Sequence, residues 1–180
     1  YQSIDSVEKF KSRVPISSYE DLFPYIERMM KGEEDVLWPS PIKWFAKSSG
    51  TTNARSKFIP VSDESLEDCH FKGGKDMLSL YVENNPETKI FKGKNVVIGG
   101  SLKPDENNPE IYIGDVSALI VKNLPIWAEY FRKPSLEIAT MEKWEDKLEM
   151  MVKETADEDV TSIAGVPSWT AVFLKKILEA

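Results

Sequence analysis

Residues 46–62 read AKSSGTTNARSKFIPVS, with Ser48, Ser49, Gly50, Thr51 and Thr52 in a row, Arg55 and Lys57 just after them, and apolar sequence on both sides. One reading of these residue types is a flexible turn. The other is a loop that wraps phosphate. Gly50 reaches backbone conformations closed to other residues, the four hydroxyls donate hydrogen bonds, and successive N–H groups form an anion-binding concavity. Lys57 and Arg55 would then supply positive charge. Two nucleotide-binding patterns do not fit. Arg55 stands where a Walker loop needs its second glycine and no Gly-Lys-Ser/Thr follows, while the glycine pairs at 73 and 99 are isolated, so no G-x-G-x-x-G exists.

Other chemistry is harder to build from this chain. Cys69 and His70 are the single cysteine and the single histidine; adjacent on a helix, their side chains diverge by about 100° and do not share a metal ion or form a thiolate pair locally. No G-x-S-x-G elbow is present. The acidic run ETADEDV reads as a solvated helix end rather than as metal ligands, and most of the five tryptophans read as core. No metal-ligating residue and no catalytic side chain is assigned.

The elements that must position the loop follow from periodicity and breakers. KWFAK is a short strand leading into it and KFIPV a strand leaving it, with Pro60 placing the second at an edge or keeping it short. Ser17 and Glu20 stand at capping-box spacing ahead of a helix that ends on Gly32, with Pro24 dividing off a first turn. From Ser62, acidic residues open the longest helix, with Leu66, Cys69, Met77, Leu80 and Tyr81 on one face. Gly73 and Gly74 inside it permit either close approach of another backbone or a kink. NVVIGGS and EIYIGD are strands, Asp115 is the N-cap of VSALIVKNLP, TMEKWEDKLEMMVKETADED is amphipathic, and Ser168 caps a last helix carrying Phe173, Leu174, Ile177 and Leu178. Such alternation predicts an α/β fold, with a largely parallel or mixed sheet flanked by helices.

Composition bounds the rest. At 180 residues and 41% hydrophobic, the chain suits one domain with a real core. A net charge of −7 without a dense basic block argues against a nucleic-acid partner. One cysteine excludes an internal disulfide, no apolar run nears the roughly 18 residues of a membrane span, and the opening YQSIDSVEKF lacks a signal peptide's pattern, so a cytoplasmic location is expected. Tyr1 in place of methionine and an uncapped last helix suggest a piece of something longer, or else a processed chain.

KWFAKSSGTTNARSKFIPVS resembles the phosphate-binding motif of adenylate-forming enzymes, and more narrowly that of the auxin-responsive (Gretchen Hagen) family of acyl acid amido synthetases. The superfamily usually reads Thr-Ser-Gly-Thr-Thr-Gly-x-Pro-Lys; here the stretch is one residue longer, as in the amido synthetase branch, and Asn53 and Ala54 stand where glycine is common. RVPISSYEDLFPYIERM, DVSALIVKNLPIWA and SIAGVPSWTAVFLKKILE extend the resemblance over nearly the whole chain. It implies an enzyme that uses ATP and Mg2+ to adenylate a carboxylic acid and then passes the acyl group to an amino acid's amine. It also implies that Ser48, Ser49, Gly50, Thr51, Thr52 and Lys57, with Arg55 a weaker candidate, hold the nucleotide phosphates. Val116, Leu119, Ile120 and Trp127 would wall an acyl pocket, ordinary core being the alternative for them. The later nucleotide-site motifs and the C-terminal domain of that family are absent, so residues 1–180 are expected to form a single incomplete N-terminal domain, inactive alone. A non-catalytic interaction or binding domain derived from such a fold is the competing expectation, and a phosphoryl-transfer enzyme releasing ADP a third.

Overall fold

The computed structural model describes residues 3–48 and 56–180, which are organised around two sheets. Helix α1 (Val7–Arg13) is capped by Ser6, whose hydroxyl accepts from the Lys9 N–H, and is followed by α2 (Tyr19–Met30). The capping box falls one residue later than expected. Ser18 Oγ accepts from the Asp21 N–H at 3.3 Å, and the Asp21 carboxylate accepts from the Ser18 N–H at 2.8 Å. Ser17 and Ser18 each have a carboxylate three residues on, Glu20 and Asp21, and the backbone takes the second pair; beyond it α2 buries Ile26 and Met29 with Phe45 in the core. Pro24 does not divide α2. It removes one intrahelical bond near the start, and the buried residues beyond it keep the helix in place.

Strands β1 (Trp44–Lys47) and β2 (Phe58–Val61) pair antiparallel across the loop, with Phe45 opposite Pro60. β2 lies at the sheet edge, where proline's missing donor is tolerated. A π-helical turn, Ser65–Phe71, then runs into α3 (Lys72–Asn84). A Cβ on Gly73 or Gly74 would meet nothing within 4 Å, so among the described residues no second backbone packs there; a π turn directly precedes them. Leu66 is buried, but Cys69, Met77, Leu80 and Tyr81 are exposed. Periodicity correctly marks an apolar face there without supplying a partner for it.

The chain continues as β3 (Lys94–Ile98), β4 (Leu102–Pro104), β5 (Tyr112–Gly114), α4 (Val116–Lys122) and α5 (Ile126–Phe131). It closes with β6 (Arg132–Lys133), α6 (Leu136–Ala139), α7 (Trp144–Thr155), β7 (Val160–Gly165) and α8 (Pro167–Glu179). The fold is α/β as expected, with its strands divided between two sheets. One has the order β2-β1-β5-β4, parallel only between β1 and β5; the other, β6-β3-β7, is all parallel. Gly99, Gly100 and Ser101 carry the chain from β3 in the second sheet to β4 in the first.

Val96, Ile98, Leu148, Met151 and Phe173 form the core against the parallel sheet, and Ala46, Leu66 and Leu119 a smaller one against the mixed sheet. Ser168 does not cap α8. Pro167 occupies the first helical position, where its fixed φ suits it, so Val166 precedes the helix and Ser168 lies inside. Phe173 alone of the α8 residues is fully buried, whereas Leu178 is 88% exposed.

Candidate active site

The parallel pair β1 and β5 aligns Ala46 with Gly114, so both strands end at the same edge of the mixed sheet. In open α/β sheets that carboxyl edge is where ligands bind. β1 delivers Ser48 there and β5 delivers Asp115. Between them lies a cleft of about 310 Å³ whose lining includes Lys47, Ser48, Ser56, Ser101, Asp115 and Glu142.

Two hydrogen bonds close the mouth of the loop. The Ser48 N–H donates to the Lys57 carbonyl at 2.9 Å, and the Lys57 N–H donates to Ser48 Oγ at 3.0 Å. Of the residues expected to hold phosphate, Ser48 and Lys57 are therefore at the loop's base; Ser49, Gly50, Thr51 and Thr52, with Arg55, lie outside the described residues. The Lys57 ammonium sits 5.1 Å from the centre of the Tyr19 ring, a cation–π contact on the α2 side of the loop. The Tyr19 hydroxyl in turn accepts from the Phe58 N–H at 2.8 Å.

The lysines that line the cleft are Lys47 and Lys103, the latter paired with Glu142 at 3.2 Å. Sequence reasoning missed both. Lys47 was findable, as the last residue of a strand feeding the loop; Lys103 carried no signal, because its strand reaches the cleft only through β5. Asp115 does stand at the N-cap of α4, but its side chain does not cap that helix. It turns instead to accept from the Ser101 N–H at 3.0 Å. Gly100 makes room for this, since a Cβ there would overlap the Asp115 carboxylate.

The four candidate acyl-pocket residues separate. Leu119 is buried in the core with Ala46 and Leu66, and Val116 is exposed at the start of α4. Ile120 and Trp127 line a mainly apolar cavity of about 240 Å³, together with Phe71, Leu78, Phe91 and Phe131. Helix α4 links the two hollows. Its N-terminal end carries Asp115 at the cleft, and Ile120 faces the cavity about 8 Å of helical rise further on.

Behind the cleft, Lys147 on α7 is 1% exposed and donates to the carbonyls of Gly99, Gly100 and Ala139 at 2.6–2.7 Å. Burial pulls its ammonium down to about 8, with the charge of Asp115 opposing that fall. Among the described residues no group of three or more His, Cys, Asp or Glu side chains is placed to hold a metal ion, and no helix is long and apolar enough to cross a membrane.

Comparison with known proteins places this geometry in context. Residues 1–179 match the family described as GH3 family N-terminal domain. The 4-substituted benzoates-glutamate ligase GH3.12 of Arabidopsis thaliana is 32% identical over 121 residues, 57% of this chain and 21% of that protein. The jasmonoyl-L-amino acid synthetase JAR6 of Nicotiana attenuata is 43% identical over 61 residues, 33% of this chain and 10% of that protein. The solved GH3.15 acyl acid amido synthetase superposes with a TM-score of 0.71 at 20% identity, covering 99% of this chain and 32% of its own, and so shares the fold. The chain thus spans a third or less of the proteins it matches.

Proposed function

Since the chain belongs to the GH3 family, we propose that it is the N-terminal part of an ATP-dependent acyl acid amido synthetase, a single incomplete domain that is inactive alone. Its relatives are ligases that join acyl acids to amino acids, by their names and that of the solved neighbour. The observation that carries the reading is the convergence of β1 and β5, with Ser48 and Ser56 from the two ends of the loop lining one cleft with Asp115 at the carboxyl edge of the sheet.

In this reading the substrate carboxylate attacks the α-phosphorus of ATP. The bond to the β-phosphate breaks and pyrophosphate leaves. The amine of an amino acid then attacks the acyl carbon, loses a proton and expels AMP. Ser48, Ser49, Thr51 and Thr52 donate to phosphate oxygens, Gly50 lets the backbone approach, and Lys57, whose ammonium rests on the Tyr19 ring outside the cleft lining, swings in to offset charge that grows on the departing pyrophosphate. Lys47 adds a second cation at the base of the loop. Magnesium needs only one or two protein carboxylates beside phosphate oxygens, and Asp115 and Glu142 are the cleft's carboxylates that suit it; the ion would neutralise phosphate charge. The apolar cavity under α4 takes the acid's hydrocarbon part, with Ile120 and Trp127 among its walls.

The test is carboxylate-dependent exchange of labelled pyrophosphate into ATP by the protein its open reading frame encodes, with Lys57→Ala and Thr51→Ala alongside. Exchange that both variants reduce supports adenylation through this loop. No exchange, with no stabilisation by ATP, would favour a non-catalytic binding domain, and release of ADP would favour phosphoryl transfer.

A further inference from the structure

Lys147 holds a place that neither the phosphate loop nor the acyl cavity accounts for. Its Nζ donates at 2.7 Å to the carbonyls of both Gly99 and Gly100, in the short crossing that carries the chain from one sheet to the other, and at 2.6 Å to Ala139 at the end of α6. All three protons of the ammonium are thereby used, and among the described residues no carboxylate pairs with it. The same two peptide groups act on their opposite side. The N–H of the Gly99–Gly100 peptide donates to Ser117 Oγ at 2.9 Å, and the N–H of the Gly100–Ser101 peptide donates to the Asp115 carboxylate at 3.0 Å.

A cation on the carbonyl end of a peptide group polarises it and strengthens its N–H as a donor, and in a low-dielectric interior such chains reinforce one another. The Gly100–Ser101 peptide group therefore connects a buried ammonium on α7 to the carboxylate at the cleft's edge, while the Gly99–Gly100 peptide group beside it connects the same ammonium to Ser117 on α4. We propose that Lys147 is a positioning residue: by clamping the Gly99–Ser101 crossing it sets the place and charge environment of Asp115 beside the phosphate loop, without itself touching substrate. The inference rests on the adenylation reading for its effect on rate and on geometry alone for its effect on the crossing.

A lysine that only filled space would lower stability and leave each folded molecule's kinetics unchanged. The test is a double-variant cycle of Lys147→Met and Asp115→Asn in the protein its open reading frame encodes, measured as kcat/KM for ATP in pyrophosphate exchange per folded molecule. Each single variant is expected to lose at least about ten-fold, and the double variant to lose no more than the worse single. A folded Lys147→Met with kcat/KM as in the unaltered protein, or losses that multiply, would overturn the proposal. Amide hydrogen exchange gives a readout free of activity: Gly100 and Ser101 should exchange at least about ten-fold faster in Lys147→Met, and unchanged rates there overturn the proposal. An unaltered protein that performs no pyrophosphate exchange would sink the adenylation reading alone, and the amide rates would then decide this one. Should Lys147→Met not fold, Lys147→Arg, which keeps the charge but changes the grip on the three carbonyls, is run through the same cycle with Asp115→Asn, coupled losses supporting the clamp and independent losses overturning it.

Discussion

Ser48 and Lys57 each donate a backbone N–H to the other across the mouth of the loop, one to a carbonyl at 2.9 Å and one to the Ser48 hydroxyl at 3.0 Å. Ser48 thus spends its hydroxyl on closing the loop as well as facing the cleft. Ser48→Ala should cost about 1 kcal/mol in denaturant unfolding, the value of one hydrogen bond, and should lower pyrophosphate exchange by much more than that loss of folded protein explains. Unaltered exchange in Ser48→Ala would remove Ser48 from the phosphate site.

Gly100 and the pair Gly73 and Gly74 make opposite predictions. Gly100→Ala forces a methyl into the Asp115 carboxylate and should destabilise by about 1–3 kcal/mol, as overpacking does. Gly73→Ala and Gly74→Ala put a methyl into open space in a helix and should stabilise by up to about 1 kcal/mol each. Thermal unfolding of the three variants separates the cases.

Leu119 and Trp127 lie within two helices of one another and should differ in kind. Leu119→Ala opens a cavity in the core beside Ala46 and should cost about 2–5 kcal/mol. Trp127→Ala alters the wall of the apolar cavity at a half-exposed position. Its expected signature is a raised KM for the carboxylic acid with a smaller loss of stability than Leu119→Ala. The opposite pattern would assign the cavity to packing.

Glu64 gives a pH dependence with a definite sign. Its carboxylate accepts from the Ser40 hydroxyl at 2.6 Å and from Trp38 Nε1 at 3.2 Å; the Ser40 bond foremost, then hydrogen bonding by its own backbone and by Ser62, with Trp38 adding least, hold its pKa down from 4.5 to about 2. Between those values the unfolded chain binds the extra proton and the folded chain does not. The Glu64 contribution is therefore full above 4.5 and lost as the pH falls toward 2. Urea unfolding at a series of pH values, read by tryptophan fluorescence, should show this acid-side loss in the unaltered protein and a flatter profile in Glu64→Gln.

Much of the candidate site was legible from local signals. A strand, a run of hydroxyls with one glycine, two cations and a returning strand carrying Pro60 are a few residues apart, so residue type and spacing suffice to recognise them. The α/β class was legible for the same reason, since each strand and helix announces its own period. Element boundaries slipped where neighbouring residues carry the same signal, as at Ser17 and Ser18, each followed three residues on by a carboxylate, of which the structure uses the second.

What residue order cannot carry is who meets whom. The face of Met77, Leu80 and Tyr81 has the pattern of a core helix and lies exposed, because an apolar stripe encodes the need for a partner and not its presence. Val116 and Leu119 belong to the same short helix as Ile120, and only the neighbours of each turn decide that the first is exposed, the second is core and the third lines a cavity. Chain order was enough for most local elements and for the family, and it motivates the chemistry proposed for the loop. The division into two sheets, the meeting of β1 with β5 and the grip of Lys147 on Gly99, 48 residues away, arose from long-range packing, where burial of surface and satisfaction of buried polar groups act between segments that share no local signal.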